Sequence, residues 1–287
     1  MDWSPGYREQ PPPAALLPSV ACLWARVVGP GADTVTEVLP DACVDLIWEQ
    51  GTGVYVAGPD TGPVPSPSPA GAVLAALRFV PGAAGPALGM PMSALLSQRV
   101  AASDLGTAQA TALARALPGS LGPAEALRVL VRAAGAMSAE GPADPLAART
   151  AGLLRRPGAL AEDIAGRLDV SERQLRRRCQ AAVGYGPATL RRVLRFRRFV
   201  SWADAGAPGG DLASAAARLG YADQAHLTRE CVRLAGLTPT ALLAARRPGD
   251  EWRGLGPSEL ARTAGPPAAR YRQTTRKPTD DQKEVTR

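Results

Sequence analysis

The feature that most constrains this chain is an internal repeat. Residues 160–190 and 212–242 align without a gap at an offset of 52. Nine of the 31 positions are identical: Leu160/Leu212, Ala161/Ala213, Ala165/Ala217, Leu175/Leu227, Arg177/Arg229, Cys179/Cys231, Gly184/Gly236, Pro187/Pro239 and Leu190/Leu242. Such a repeat means one supersecondary unit used twice, with the same positions buried each time.

Each copy has the grammar of two helices joined by a tight turn. In the first, residues 161–168 predict a short helix with Ala165 on its inner face, and Asp169-Val170 make the turn. Ser171 opens a second helix with Gln174 three residues on, a capping-box pattern. Leu175, Cys179 and Ala182 then fall at i, i+4 and i+7, a buried stripe. Arg173, Arg176 and Arg177 fall on the other side. Gly184 ends the helix, and Pro187 starts the next. In the second copy Asp223 is the cap, Leu227 and Cys231 point inward, and Gln224, Thr228 and Arg229 point outward. Gly236 and Pro239 again mark a stop and a start. Between the copies, 187–204 reads as one long helix with Val193, Phe196 and Val200 on a common face. A helix of that length holds two units at a fixed separation.

Charge is distributed unevenly over this frame. Residues 1–154 carry 8 Arg against 12 acids, whereas 155–245 carry 15 Arg against 8. A basic segment behind an acidic one points to a polyanionic partner. A helix fits the DNA major groove, where Arg pairs with guanine, Gln with adenine, and Thr touches the thymine methyl. Arg173, Arg176, Arg177, Gln224, Thr228 and Arg229 are therefore the candidate base readers. Ser171, Arg191, Arg192, Arg195 and His226 are the candidate backbone contacts, which set register without reading sequence. Arg176 and Arg177 also admit a reading as solvated helix charges, His226 as a packing or capping residue, and Arg195 reads equally as a bridge between the two units.

The front half reads differently. Short apolar runs at 20–28, 34–39, 44–48, 54–57 and 73–80 predict strands bounded by Gly, Pro and Asp. Residues 58–69 and 81–85 read as turn-rich connectors. Residues 107–116, 124–134 and 145–154 predict helices, so 107–150 is expected to be a helical connector. Residues 248–287 are Pro-, Thr- and charge-rich and predict a disordered basic tail, with a short helix near 258–262. Nothing in the front half assembles a catalytic site. Asp41, Asp45 and Glu49 have a spacing that aligns side chains on a helix. Cys22 and Cys43 could sit on neighbouring strands, and Trp24 and Trp48 are expected in the core. Four scattered cysteines without a CxxC, and one histidine, leave little for metal or nucleophilic chemistry. No cofactor and no metal are expected. No apolar run approaches the ~20 residues needed to span a bilayer, and no secretory leader is visible, so a cytoplasmic location is expected.

The stretch 171–239 resembles the C-terminal DNA-binding domain of AraC/XylS-type bacterial transcriptional regulators. The carriers are Val170-Ser171-x-x-x-Leu175-x-Arg177, Gly184-x-x-Pro187, Arg195, Leu219-Gly220-Tyr221-x-Asp223, Leu227-x-Arg229 and Gly236-x-Thr238-Pro239. This sequence departs from the family at Cys179 and Cys231, where Phe is usual, at Leu190 and Leu242-Leu243, and at Asp169, where glycine is usual. The front half resembles, more weakly, uncharacterised N-terminal domains attached to such regulators, through Leu39-Pro40-Asp41, Asp45-Leu46-Ile47-Trp48, Ala57-Gly58-Pro59 and Arg78-Phe79-x-Pro81-Gly82.

The resemblance implies an α+β multidomain chain. A small β-barrel or cupin-like sensor or dimerisation domain (1–106) would be followed by the connector (107–150) and a double helix-turn-helix domain (151–247). It implies a regulator, not an enzyme, that reads two successive major grooves and is modulated at the N-terminal domain. Double-stranded DNA is the expected partner. RNA polymerase, a second copy of the chain and an unidentified small-molecule effector are further candidates. The alternative is a ligand- or protein-binding module whose helical domain no longer reads DNA specifically.

Overall fold

The computed structural model describes residues 1, 3–31, 33–140, 143–207 and 211–246. The tail expected over 248–287 lies outside the described residues.

The front half is built on strands. These are β1 (Gly6–Gln10), β2 (Val20–Val27), β3 (Thr34–Val38), β4 (Val44–Glu49), β5 (Gly53–Ala57), β6 (Val64–Ser68), β7 (Val73–Phe79) and β8 (Arg99–Ala101). Six form one antiparallel sheet in the order β1-β2-β7-β4-β5-β8, and β3 pairs with β6 in a separate ribbon. No pairing closes β1 onto β8 among the described residues. One sheet face buries Leu46, Trp48, Val56, Leu77 and Phe79, and is covered by α1 (Ala84–Leu88), α2 (Ala108–Ala116) and α3 (Pro123–Glu140). The other carries a smaller apolar cluster of Trp24, Ile47, Ala57, Leu74 and Ala76. β4 is thus buried on both faces, which is why its sequence does not alternate.

Two connectors contain elements the sequence did not suggest. The stretch 58–69 includes β6, whose Pro65 and Pro67 sit opposite Glu37 and Val35. A two-stranded ribbon leaves one side of each strand unpaired, and alternate prolines are tolerated there because no donor is needed. The stretch 81–85 runs into α1.

The back half consists of α4 (Pro145–Leu154), α5 (Ala161–Arg167), α6 (Glu172–Val183), α7 (Pro187–Asp204), α8 (Leu212–Leu219), α9 (Gln224–Ala235) and α10 (Pro239–Ala245). The helical stretch expected as a connector is divided between two cores. α2 and α3 pack on the sheet. α4 contributes Leu146, Ala147, Ala151 and Leu154 to the core that holds Phe196, Phe199, Leu227 and Cys231. No helix among the described residues is long and apolar enough to cross a membrane.

The halves meet along α6. The 58–63 loop is pinned by Gly58 N–H donating to Gln98 O and by Ser97 N–H donating to Pro59 O. A β-carbon at Gly184 would lie 2.5 Å from Pro59 Cγ, and one at Gly236 would lie 3.8 Å from Pro63 Cγ. One loop therefore touches the ends of both repeat-related helices. Next to Gly184, the Tyr185 phenol is buried; burial, aided by Asp41, Cys43 and Asp60 nearby, pushes its pKa well up.

A second tie is Asp144. Its Oδ1 caps α4 by accepting from Leu146 and Ala147 N–H at 2.9 and 3.1 Å. It also takes two hydrogen bonds from Arg178 of α6, at 2.8 and 2.7 Å. Burial acts to raise the Asp144 pKa, but the hydrogen bonds from Arg178 and from those amides outweigh it, and the pKa is lowered. The folded value lies below the unfolded one, so this stabilisation is present above the ordinary carboxylate range. It is lost as pH falls through the depressed folded value. Denaturation midpoints of wild type and Asp144→Asn should therefore differ at about pH 7 and converge by about pH 2. A gap independent of pH would show that the charge contributes nothing.

Candidate nucleic-acid interface

The two repeat copies fold alike, and local chemistry explains why. Ser171 Oγ accepts from Gln174 N–H at 3.2 Å, and Asp223 Oδ1 accepts from His226 N–H at 2.6 Å. Each bond satisfies an orphan amide at the start of α6 or α9. Gly184 and Gly236 close those helices at φ 95° and 69°. Asp169 sits in the α5–α6 turn at φ 52°, a left-handed conformation that Asp tolerates better than most residues, which accounts for its place in a glycine position. Cys179 and Cys231 are fully buried, and Phe196 and Phe199 of α7 bring aromatic bulk to the same core.

On the outer side, Arg173, Arg176, Arg177, Gln224 and Arg229 are exposed. Thr228 is half-buried, and its hydroxyl donates to Gln224 O at 2.9 Å. Among the described residues, none of Arg173, Arg176, Arg177 and Arg229 forms an ion pair or a side-chain hydrogen bond. The repeat-equivalent pair Arg177 and Arg229 thus presents two guanidinium groups without partners among the described residues.

The backbone candidates separate. Ser171 is exposed at its cap, and Arg191 is half-buried without an ion pair among the described residues. Arg192 pairs with Glu230 at 3.3 Å. Arg195 is only 6% exposed. Its Nη2 lies 2.8 Å from Glu230 Oε1, its Nε donates to Glu230 Oε2 at 3.2 Å, and its Nη1 donates to Gly220 O at 3.1 Å. Its guanidinium also stacks 4.6 Å from the Tyr221 ring centre. Arg195 therefore bridges α7 to the second unit and does not face outward as a phosphate contact would. His226 belongs to the same network: Nε2 lies 3.1 Å from Arg195 Nη2, Nδ1 accepts from Ala222 N–H at 3.3 Å, and the ring meets Tyr221 edge-on.

Sequence reasoning did not single out Glu230. The available signal was an acid on the inward side of α9, in register with Leu227, Cys231 and Leu234. Nor did it find the cluster on the open face of the sheet. There Arg78 donates twice to Asp45, at 2.9 and 3.0 Å, with Asp41 at 3.4 Å and Glu9 at 3.5 Å. Asp45 stands directly opposite Arg78 in the β4–β7 pairing, and Asp41 reaches the same guanidinium from the turn that precedes β4. Burial pushes the Asp45 carboxyl up against the pull of Arg78.

All four thiols are free. Cys22 lies on β2 and Cys43 just before β4, with β7 between these strands, so the two are not on neighbouring strands. Burial pushes Cys22 and Cys231 to about 12, Cys179 to about 11, and Cys43 well above its usual value. Protonated thiols are poor nucleophiles.

Residues 164–245 match the family described as a helix-turn-helix domain. Residues 8–101 match a domain of unknown function, DUF6597. No curated protein sequence matches the chain. Among solved structures, the chain is similar to the C-terminal domain of AraT, a response regulator from Geobacillus stearothermophilus, at 18% identity, covering 38% of this chain and 93% of that one with a TM-score of 0.35. It is also similar to ToxT from Vibrio cholerae O395, at 10% identity, 77% and 95% coverage and a TM-score of 0.40. The same ToxT bound to (E)-4-(8-methylnaphthalen-1-yl)but-3-enoic acid gives 8% identity, 83% and 98% coverage and a TM-score of 0.41.

Proposed function

We propose that this chain, whose C-terminal part is a helix-turn-helix domain of the AraC type, is a sequence-specific DNA-binding transcriptional regulator. The observation that carries the reading is the matched placement of Arg177 and Arg229. They stand at equivalent positions of two capped helices, are exposed, and lack protein partners among the described residues. α6 and α9 enter successive major grooves, with α7 setting their separation. Arg173, Arg176, Arg177, Gln224, Thr228 and Arg229 read base edges. Ser171 and Arg191 meet phosphates, with Arg192 shared between phosphate and Glu230. Arg195 and His226 act behind this surface, by holding α9 on α7.

The N-terminal domain modulates binding through the surface it shares with α6. A small molecule or a second copy that shifted the 58–63 loop would act mainly on the end of α6, which lies tight against Pro59, and less on the end of α9, which meets Pro63 only at ordinary contact distance.

Fluorescence anisotropy on duplexes selected from a randomised pool tests the proposal. Affinity should fall steeply with salt, log K dropping by about 0.9 per phosphate neutralised. Arg177→Ala and Arg229→Ala should each weaken binding to the selected duplex by about 5- to 150-fold, equivalent to ~1–3 kcal/mol per bidentate base contact. Their effect on random duplex should be far smaller. A protein that never prefers one duplex over another would overturn the reading.

A further inference from the structure

The periodicity of the two reading helices singles out a residue at the end of each outer row. In α6, Leu175, Cys179, Ala182 and Val183 are buried, and opposite them lie Arg173, Arg177 and Gln180. In α9, Leu227, Cys231, Leu234 and Ala235 are buried, and opposite them lie Ala225, Arg229 and Val232. The repeat offset pairs these rows residue by residue: Arg173 with Ala225, Arg177 with Arg229, Gln180 with Val232. All six are exposed. With Arg176 and Thr228 at the row's edge, each set has the spacing i, i+3, i+4, i+7. That is the spacing with which a helix lying in the major groove places side chains on base edges.

The two rows differ in chemistry. The first offers only hydrogen-bonding groups. The second offers a guanidinium flanked by two apolar groups, and Val232 is 47% exposed. Val232 is one of four large hydrophobic residues so exposed among the described residues, and the only one of them on α6 or α9. A β-branched apolar side chain lowers helix propensity and gains nothing from water, so local folding gives no reason for it there. In the major groove the one apolar feature is the C5-methyl of thymine. From Ala225 to Val232 the helix rises about 10.5 Å, about three base-pair steps.

Resting on the DNA-binding reading above, we propose that Val232, with Ala225 on the far side of Arg229, reads thymine methyl groups. The half-site of the second unit then carries thymine beside the guanine met by Arg229. The half-site of the first unit is read by hydrogen bonds from Arg173, Arg177 and Gln180. The preferred site is therefore a pair of unlike half-sites despite the repeat in the protein.

The test is a double-mutant cycle on the full chain, wild type against Val232→Ala. A randomised duplex pool first defines the preferred site of the wild type. Each thymine is then replaced in turn by deoxyuridine, which removes only the methyl group. At one position in the second half-site, wild type should bind the deoxyuridine duplex about fourfold more weakly, the worth of one buried methyl. Val232→Ala should bind the thymine duplex weakly to a similar extent and show no further loss with deoxyuridine. Val232→Ser, polar at the same exposed site, should behave like Val232→Ala, and unchanged melting curves show that neither variant disturbs the fold. Selection of a site with no thymine coupled to Val232 overturns this inference and leaves the DNA-binding reading intact. The same holds if the variants bind every duplex as wild type does, the outcome expected if Val232 faces a protein partner instead. Failure to select any site overturns both.

Discussion

Replacing Glu230 with alanine is expected to lower stability by about 3–5 kcal/mol, the cost of leaving a buried charge without its partner. Arg195 is 6% exposed and has no neutral form to fall back on at any ordinary pH. In the folded chain Glu230 faces both its Nε and its Nη2. Once the carboxylate is gone, the guanidinium keeps Gly220 O, the His226 ring nitrogen and the face of Tyr221, none of which carries the balancing negative charge. Glu230→Gln should fall between, because the amide keeps the shape and one acceptor but loses the charge. Removing both charges with apolar residues, as Arg195→Met with Glu230→Leu, should come closer to wild type than Glu230→Ala does. Arg192→Ala breaks only a half-exposed pair and should cost at most about 1 kcal/mol. Chemical denaturation of the full chain, followed through the helical signal, separates these variants. A loss below about 1 kcal/mol for Glu230→Ala would mean that the network is not what holds α9 on α7. On the function proposed above, the consequence in Glu230→Ala is specific to the second unit: its DNA contacts through Arg229 should weaken with temperature sooner than those through Arg177.

How well each region could be read from the sequence follows from how local its determinants are. The starts and stops of α6 and α9 are written in single residues, Ser171 and Gly184, Asp223 and Gly236, whose effect does not depend on distant chain. The reading of 187–204 as one helix coincides with α7 because Pro187 can only begin a helix and the apolar face runs unbroken to Val200 and Ala203. Strands need partners, and those are far away. β1 is mostly polar and half-exposed along an edge, so no apolar run marks it. β6 looks like a proline-rich loop until β3 is beside it. The same limit applies to side chains. Arg195 and Glu230 are 35 residues apart, and only the packing of α9 on α7 brings them together. From the sequence Arg195 reads equally as a phosphate contact or a bridge; in the structure it is buried and bonded to Glu230 and Gly220 O. The i, i+4 spacing of Asp41 and Asp45 suggests a helix, whereas cross-strand pairing sets Asp45 on Arg78 and the turn before β4 brings Asp41 to it.

The contact between the 58–63 loop and the ends of α6 and α9 makes the repeat-related glycines unequal, and that inequality can be measured. Gly184→Ala should cost about 2–4 kcal/mol. The left-handed backbone at φ 95° accounts for about 1–2 kcal/mol of it, and the rest is overpacking. The new β-carbon would lie 2.5 Å from Pro59 Cγ, part of a rigid ring, and 3.2 Å from Met92 O, part of the backbone, so neither neighbour can swing aside. Gly236→Ala meets the same backbone penalty at φ 69°, but its β-carbon would make only an ordinary contact with Pro63 at 3.8 Å. Gly158→Ala, at φ 76° with nothing within 4 Å, gives the backbone cost alone. Both controls should therefore stop near about 1–2 kcal/mol. Combining Gly184→Ala with Pro59→Ala should return part of the excess, because the ring carbon in the way is gone. If Gly184→Ala and Gly236→Ala prove equally costly, the loop does not press on the first unit, and the modulation proposed above does not run through it. If the excess appears and Pro59→Ala relieves it, the loop acts as a stop against which α6 is seated. Any movement of the sheet that displaces Gly58 and Pro59 would then tilt α6 while leaving α9 nearly fixed.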